Sequence, residues 1–394
     1  MQNNIDERIE KIKDKIQNSV KELFGDDISD AEVHYSTKSF VYDFLDDYII
    51  KVDEIPEDES QFSALLEYLA ELKKSCFEIC APVRALSGKI YEKVELEDRT
   101  LAVTKFEKAK GKLLRGNMLN ADHAYVAGDV LGKIHEYSIK LNKDSKAVIR
   151  PSFEDEIERI ETILGEDFAK QYYDEIAINQ IKELIEAVKK IERTQNNFGL
   201  IHNDFTFYNY FVEDSKISVF DFGDCEYGYF MYDIAILFLS WISKPDANAM
   251  LDVKGNFELL MPAFRKGYEK HVCVAENEWD NLKKFMQLRQ IKSATSLIMS
   301  NHINSNTVIG GTMEEGIVRR QVALSIGDIY EQLDESLLQT RENVMLITKM
   351  LKEGKCDESN PKEVYLWKVI HSDESKPFYE YILEEIKKQN NSHI

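Results

Sequence analysis

His202, Asp204 and Asn209 lie in the run His202-Asn203-Asp204-Phe205-Thr206-Phe207-Tyr208-Asn209, an H-x-D-x-x-x-x-N spacing, and Asp221-Phe222-Gly223 follows after a hairpin-sized gap. These residue types at these distances are the parts that phosphoryl transfer needs. A carboxylate must lie against an attacking hydroxyl, orient it and take its proton, the role expected of Asp204. Oxygen ligands must hold Mg2+, a hard cation that keeps phosphates and waters as its remaining ligands, and Asn209 and Asp221 supply them. A short loop returns Asn209 beside Asp204, and a hairpin brings Asp221 across from both.

Those residues need elements to position them. Gly199-Leu200-Ile201 reads as a strand entering the loop, and Tyr210-Phe211-Val212, a polar turn and Ile217-Ser218-Val219-Phe220 read as the hairpin leading to Asp221. Around this interruption the text is helical, with apolar residues at three- and four-residue steps from Val126 to Ile139, from Ile157 to Leu164, and again from Ile234 onward. The N-terminal third differs. Ile5, Ile9, Ile12, Ile16, Val20 and Leu23 mark an amphipathic helix, Ser39 to Phe44 and Tyr48 to Val52 a hairpin, and Phe62 to Leu72 a helix. Pro82-Val83, Lys89 to Val94 and Thr100 to Phe106 follow as strands. The expectation is an α+β chain: residues 1–106 as a small β-sheet lobe with a leading helix and one main helix, 107–330 as a larger helical lobe carrying the catalytic loop, and 331–394 as a helical extension.

The stretch 199–239 resembles the aminoglycoside phosphotransferase and choline kinase superfamily, whose signature H-G-D-x-x-x-x-N, I-D-F and a helix opening D-[IL]-A is matched here down to Asp233-Ile234-Ala235. The resemblance extends more loosely over residues 33 to about 330. It implies a bilobal, protein-kinase-like fold, ATP and Mg2+ as cofactors, and transfer of the γ-phosphoryl group to a hydroxyl. By the same likeness, Lys51 at the end of Tyr48-Ile49-Ile50-Lys51-Val52 is the phosphate-binding lysine, held by a carboxylate of the following helix, for which Glu59, Glu67 and Glu71 are candidates. Phe106 to Gly111 resembles the hinge that meets adenine through its backbone, which brings in Phe106 and Lys108. Gly132-x-x-His135 resembles the helix before the catalytic loop. The loop that cradles phosphates in the family commonly bears Gly. Here it reads His34-Tyr35-Ser36-Thr37-Lys38-Ser39, so Ser36 and Lys38 are expected to contact phosphate as side-chain donors. Asn203 replaces the usual Gly after the motif His.

The acceptor is narrowed by what is missing. No H-R-D, no Gly-rich loop and no A-P-E segment occurs, and residues 222–232 are too few for a peptide-docking activation segment. A small-molecule hydroxyl substrate follows, with a protein Ser/Thr kinase of the same fold and a nucleotide-binding pseudokinase or scaffold as the rival readings. The acidic and aromatic run after Asp221 offers Asp224, Tyr227 and Tyr229 as walls for an amine or quaternary ammonium.

Composition sets the bounds. With 71 Asp plus Glu against 50 Lys plus Arg, the formal charge of -21 disfavours nucleic acid and anionic lipid as partners. Seventeen Gly and seven Pro in 394 residues are roughly half of average usage, which excludes a collagen-like or loop-rich disordered chain. Five scattered cysteines give neither a disulfide framework nor a pair of zinc modules, and no apolar run is long enough for a membrane span. A cytoplasmic protein, monomeric or weakly dimeric, is expected.

Overall fold

The N-terminal helix forms because its apolar residues share one stripe, and the stripe then needs a surface to cover. In the computed structural model, which describes residues 2–35, 39–55, 58–96, 99–114, 118–143, 148–242, 253–306 and 315–371, that surface is a β-sheet. Helix α1 (Gln2–Phe24) buries Ile16, Val20 and Phe24 against Tyr42, Ile50, Val52, Val94, Leu101 and Val103. Burying each such side chain contributes about 1.5–3 kcal/mol, enough to fix the helix on the sheet.

The sheet is antiparallel throughout. Strands β1 (Glu32–Tyr35), β2 (Ser39–Asp43) and β3 (Tyr48–Glu54) run in order, helix α2 (Glu59–Leu72) follows, and β4 (Pro82–Val83), β5 (Glu92–Glu95) and β6 (Thr100–Glu107) complete it. The strand order is β1-β2-β3-β6-β4, with β5 also paired to β6. The structure thus takes His34 and Tyr35, read from sequence as part of a phosphate loop, into β1 opposite Val41 and Phe40. Ser36 and Lys38 lie outside the described residues, as do Gly310, Gly311 and residues 372–394.

Strand β7 (Lys112–Leu113) leads into the helical part. There α3 (Ala121–Lys143), α4 (Phe153–Gly165) and α5 (Glu175–Lys189) precede β8 (Phe198–Ile201), the hairpin β9 (Tyr210–Glu213) and β10 (Lys216–Val219), and β11 (Glu226–Tyr229). Helices α6 (Phe230–Ile242), α7 (Val253–Tyr268), α8 (Glu276–Trp279), α9 (Leu282–Asn306), α10 (Glu315–Leu324), α11 (Ile329–Glu353) and α12 (Pro361–Ile370) follow. One large core runs through this part as far as the start of α11, against which α12 packs, and it reaches into the N-terminal region through Leu65, Tyr68, Leu69 and Leu72 of α2. Helix α2 therefore packs with the helical part rather than with the core beneath the sheet.

Two close approaches set the frame of the site. Helices α3 and α7 touch at their backbones: a Cβ on Gly128 would meet the Phe264 carbonyl oxygen at 2.2 Å, and one on Gly267 the Tyr125 carbonyl oxygen at 2.1 Å. Only glycine fits there, and the crossing holds His135 of α3 next to α6. On the other side, the Val219 N–H donates to Glu78 O and the Cys80 N–H to Val219 O, each at 2.8 Å. The hairpin that ends at Asp221 is thereby tied to the chain leaving α2. Among the described residues no helix is long and apolar enough to cross a membrane.

Candidate active site

The catalytic loop joins β8 to β9 and is held from beneath by one carboxylate. Asp233, buried in the first turn of α6, accepts the backbone N–H of His202 at 2.8 Å and of Asn203 at 2.9 Å. Its Oδ2 also accepts from His135 Nε2 at 3.2 Å, while His135 Nδ1 accepts from the Tyr268 hydroxyl at 2.7 Å. Burial pulls the His135 pKa down, and the Asp233 bond only partly offsets that, so the imidazole is a neutral donor with its tautomer fixed. His202 is similarly fixed: Nδ1 accepts from the Asp204 N–H at 3.3 Å and Nε2 donates to Phe220 O at 3.1 Å. The motif histidine therefore joins the loop to the strand end before Asp221.

Asn203 takes the left-handed conformation, φ 63°, which glycine would adopt most easily and which asparagine tolerates better than most residues. Its Nδ2 donates to Asp224 O at 3.0 Å, so the substitution adds a bond to the stretch after Asp221. Asp204 emerges from this frame with both carboxylate oxygens engaged. Asn209 Nδ2 donates to Oδ2 at 2.7 Å, and Arg289 Nη2 of α9 donates to Oδ1 at 2.9 Å. The Phe220 N–H donates to Asn209 O at 3.0 Å and sets Asp221 beside Asn209. Asp221 has φ 60° and a half-exposed side chain, a strained backbone of the kind found at functional sites.

The structure brings Asp204, Asn209, Asp221 and Lys51 to one place. Lys51 Nζ lies 4.0 Å from Asp221 Oδ1 and 3.7 Å from Asp53 Oδ1. The expected helix carboxylates all have other partners: Glu59 binds Lys93, Glu67 binds Arg84 and Glu71 binds Lys74. The residue beside Lys51 is Asp53, two positions on along the same strand face, where i and i+2 point the same way. Burial raises the Asp53 pKa, with Lys51 pulling against it. Strand alternation alone places Asp53 on the face of Lys51.

As ligands for a hard cation, Asn209 Oδ1 and the Asp221 carboxylate suit a site in which the protein gives few oxygens and phosphates give the rest. Among the described residues no cluster of three or more His, Cys, Asp or Glu is placed to hold a metal ion.

At the hinge, Phe106 lies within β6 opposite Ile49 and Pro82, half-buried against the main core. The Lys108 N–H donates to Asp47 O at 2.8 Å and its ammonium binds Asp43 at 2.6 Å, so its backbone donor is turned to the β2–β3 turn.

The acceptor side also departs from the sequence reading. A cavity of ≈ 610 Å³ opens next to the loop between the Arg150–Glu156 segment, the stretch after Asp221 and one face of α9. Asp224 lines it. Tyr229 does not: it is buried against Phe153, Phe198 and Phe285, and its hydroxyl donates to Ile191 O at 2.8 Å. Tyr227 braces the chain before α4, its hydroxyl accepting the Val148 N–H at 3.0 Å. The cause is strand alternation, which gives Glu226 and Gly228 of β11 the face opposite Tyr227 and Tyr229. Glu226, Arg289, Lys292 and Glu156 are among the charged wall residues that sequence reading missed, as are Arg150, Asp155 and Arg159. Of these, Arg289, Lys292 and Glu156 lie on helices far along the chain, where no motif points to them.

A carboxylate fixed at the end of a motif loop, an Asn and an Asp beside it, and a strand lysine across a cleft between a β-sheet part and a helical part define a phosphotransferase of kinase-like fold. The chain belongs to the phosphotransferase enzyme family, whose model matches residues 32–283. Amicoumacin kinase of Bacillus subtilis (strain 168) is 26% identical over 276 residues, 67% of this chain and 76% of that protein. Among solved structures, an amicoumacin kinase in complex with AMP-PNP, Ca2+ and Ami superposes with a TM-score of 0.65 at 17% identity, covering 86% of this chain and 97% of that one. A microcompartment-associated aminopropanol kinase gives 0.55 at 17% identity over 84% and 97%. A spectinomycin phosphotransferase with ADP and spectinomycin gives 0.54 at 17% identity over 82% and 98%.

Proposed function

We propose that this protein is an ATP- and Mg2+-dependent kinase that moves the γ-phosphoryl group to a hydroxyl of a small molecule. The observation that carries the reading is the fixed pair of bonds on Asp204, which holds its carboxylate within one loop of Asn209 and Asp221 and ties it to Arg289, a residue of the cavity wall. Asp204 orients the acceptor hydroxyl and takes its proton as the new P–O bond forms. Asn209 and Asp221 would hold Mg2+, which neutralises charge on the phosphates when bound. Lys51 pairs with phosphate oxygens, and Asp53 beside it keeps the ammonium near the strand face.

A small acceptor is favoured over a peptide. Much of the short chain between Asp221 and α6 is drawn into β11, paired residue for residue with β8, which favours a small acceptor over an extended peptide. The relatives' names support this class, since amicoumacin, aminopropanol and spectinomycin are all small molecules. The test is ADP release and phosphorylated-product formation with a panel of hydroxyl compounds. Asp204→Asn should lose about 10²–10⁴-fold in kcat while keeping its melting temperature. Turnover close to that of the unaltered protein would exclude Asp204 as the proton acceptor.

A further inference from the structure

Arg150 spends its charge on the main chain. Its Nε donates to Cys225 O at 2.7 Å and its Nη2 to Gly223 O, so one planar edge of the guanidinium spans two carbonyls of the turn that follows Asp221. Asn203 Nδ2 holds the carbonyl between them, that of Asp224, at 3.0 Å. Carboxylates are the stronger partners for a guanidinium, and Asp224 and Glu226 line the same wall, yet Glu226 is buried with its Oε1 unbonded. The other cations of the wall bind side chains: Arg289 binds Asp204, Lys292 pairs with Glu156 at 3.4 Å, and Arg159 donates to the Ser296 hydroxyl at 3.0 Å.

The backbone that presents Arg150 is itself braced. Pro151 confines the residue before it to extended conformations. The Val148 N–H donates to the Tyr227 hydroxyl at 3.0 Å, the Tyr227 N–H donates to Pro151 O at 2.9 Å, and Ser152 forms a parallel bridge with Tyr227. The segment is thus strapped to β11 on both sides of Arg150. Asp221 needs such a brace, because its left-handed backbone, φ 60°, persists only where the surroundings over-determine it. Its half-exposed carboxylate meets the Lys51 ammonium only at 4.0 Å, so the main chain must aim it. Before Asp221, Asn209 and His202 fix Phe220; after it, Arg150 and Asn203 fix residues 223–225.

On the reading of Asp221 as a Mg2+ ligand given above, we propose that Arg150 is a positioning residue for the metal site. It clamps the turn after Asp221 and so holds that carboxylate where the cation of a metal–nucleotide complex meets it. Arg150 also lines the acceptor cavity, so the metal ligand and the acceptor wall share one brace.

The experiment measures AMP-PNP binding by calorimetry, with and without Mg2+, in the unaltered protein, Arg150→Met, Arg150→Lys and Asp221→Ala. Mg2+ should tighten nucleotide binding in the unaltered protein. In Arg150→Met that gain should shrink about tenfold or more while metal-free affinity is unchanged, and the amides of residues 222–225 should exchange with solvent faster. Arg150→Lys should recover part of the gain, since an ammonium lacks the planar edge that spans both carbonyls. An undiminished gain in Arg150→Met, or affinity lost equally with and without the metal, would overturn the clamp and leave the kinase reading intact. If Arg150→Met does not fold, Arg150→Lys carries the test, and a full gain there overturns the clamp. No gain in the unaltered protein, or a gain that survives Asp221→Ala, would overturn the metal assignment itself and the clamp with it.

Discussion

The two sides of the cleft are built differently. On the helical side the catalytic loop rests on Asp233, with His135, Tyr268 and two backbone N–H groups bonded in a buried cluster at 2.7–3.2 Å. On the sheet side Lys51 stands at 3.7 and 4.0 Å from its two carboxylates, partly exposed, and Asp221 is more exposed still. The first arrangement fixes atoms to within fractions of an ångström, as proton transfer to a defined oxygen requires. The second leaves a cation held mainly by Coulomb attraction, which a phosphate can take over because it brings its own charge. Rigidity lies where the protein alone must define geometry, and looseness where a ligand completes it.

The strongest way to break this contrast is Asp233→Ala. The change strands the His202 and Asn203 N–H groups and His135 in a buried site, so a loss of about 3–5 kcal/mol is expected. Activity should fall with it, because Asp204 follows directly on the loop. Denaturant midpoints and kcat measured together test this, and a variant that kept full stability would show that the loop does not depend on its carboxylate.

Glu226→Gln sharpens the contrast from within the rigid side, where this one carboxyl is buried but unbonded. Its folded-state pKa is raised from 4.5 to about 7 by burial, so the native state binds more protons than the unfolded state between those values. Stability from this group is therefore present at low pH and is lost as pH rises through the window. The Gln variant lacks that slope. Against the unaltered protein it should gain up to about 3 kcal/mol between about pH 5 and about pH 8, read from denaturant unfolding at each pH. A constant difference across pH would mean that Glu226 finds a partner in solution.

The same contrast decides what the sequence could reveal. Asp204, Asn209 and Asp221 were legible because the loop and hairpin that unite them are local, with their spacing written in consecutive residues. The sheet lobe and helical lobe were legible from the change of apolar period. What escaped was set by distant or two-sided packing. Arg289 and Lys292 reach the cavity only because α9 packs on α4 and α6, and nothing near residue 204 announces them. Tyr229 and Glu226 differ by strand parity, which a short strand buried on both faces does not display. Asp53 escaped because a family habit pointed to a helix, whereas Glu59, Glu67 and Glu71 are each occupied at the sheet edge or on the helix itself.

The smallest expected effect on stability belongs to Lys51→Met. Ion contacts at 3.7 and 4.0 Å from a partly exposed ammonium are worth well under about 1 kcal/mol. Removing the ammonium also leaves Asp53 facing Asp221 without a counter-charge, and Asp53, whose pKa burial already raises, can relieve the repulsion by taking up a proton. The fold should therefore be nearly indifferent. Nucleotide binding should not be, since a charge-assisted contact to phosphate is lost, and KM for ATP should rise about tenfold to a hundredfold. The melting temperature and the nucleotide KM thus separate two roles for one residue. If Lys51→Met melted as early as Asp233→Ala, the lysine would belong to the rigid frame and the loose side of the cleft would have to be sought elsewhere.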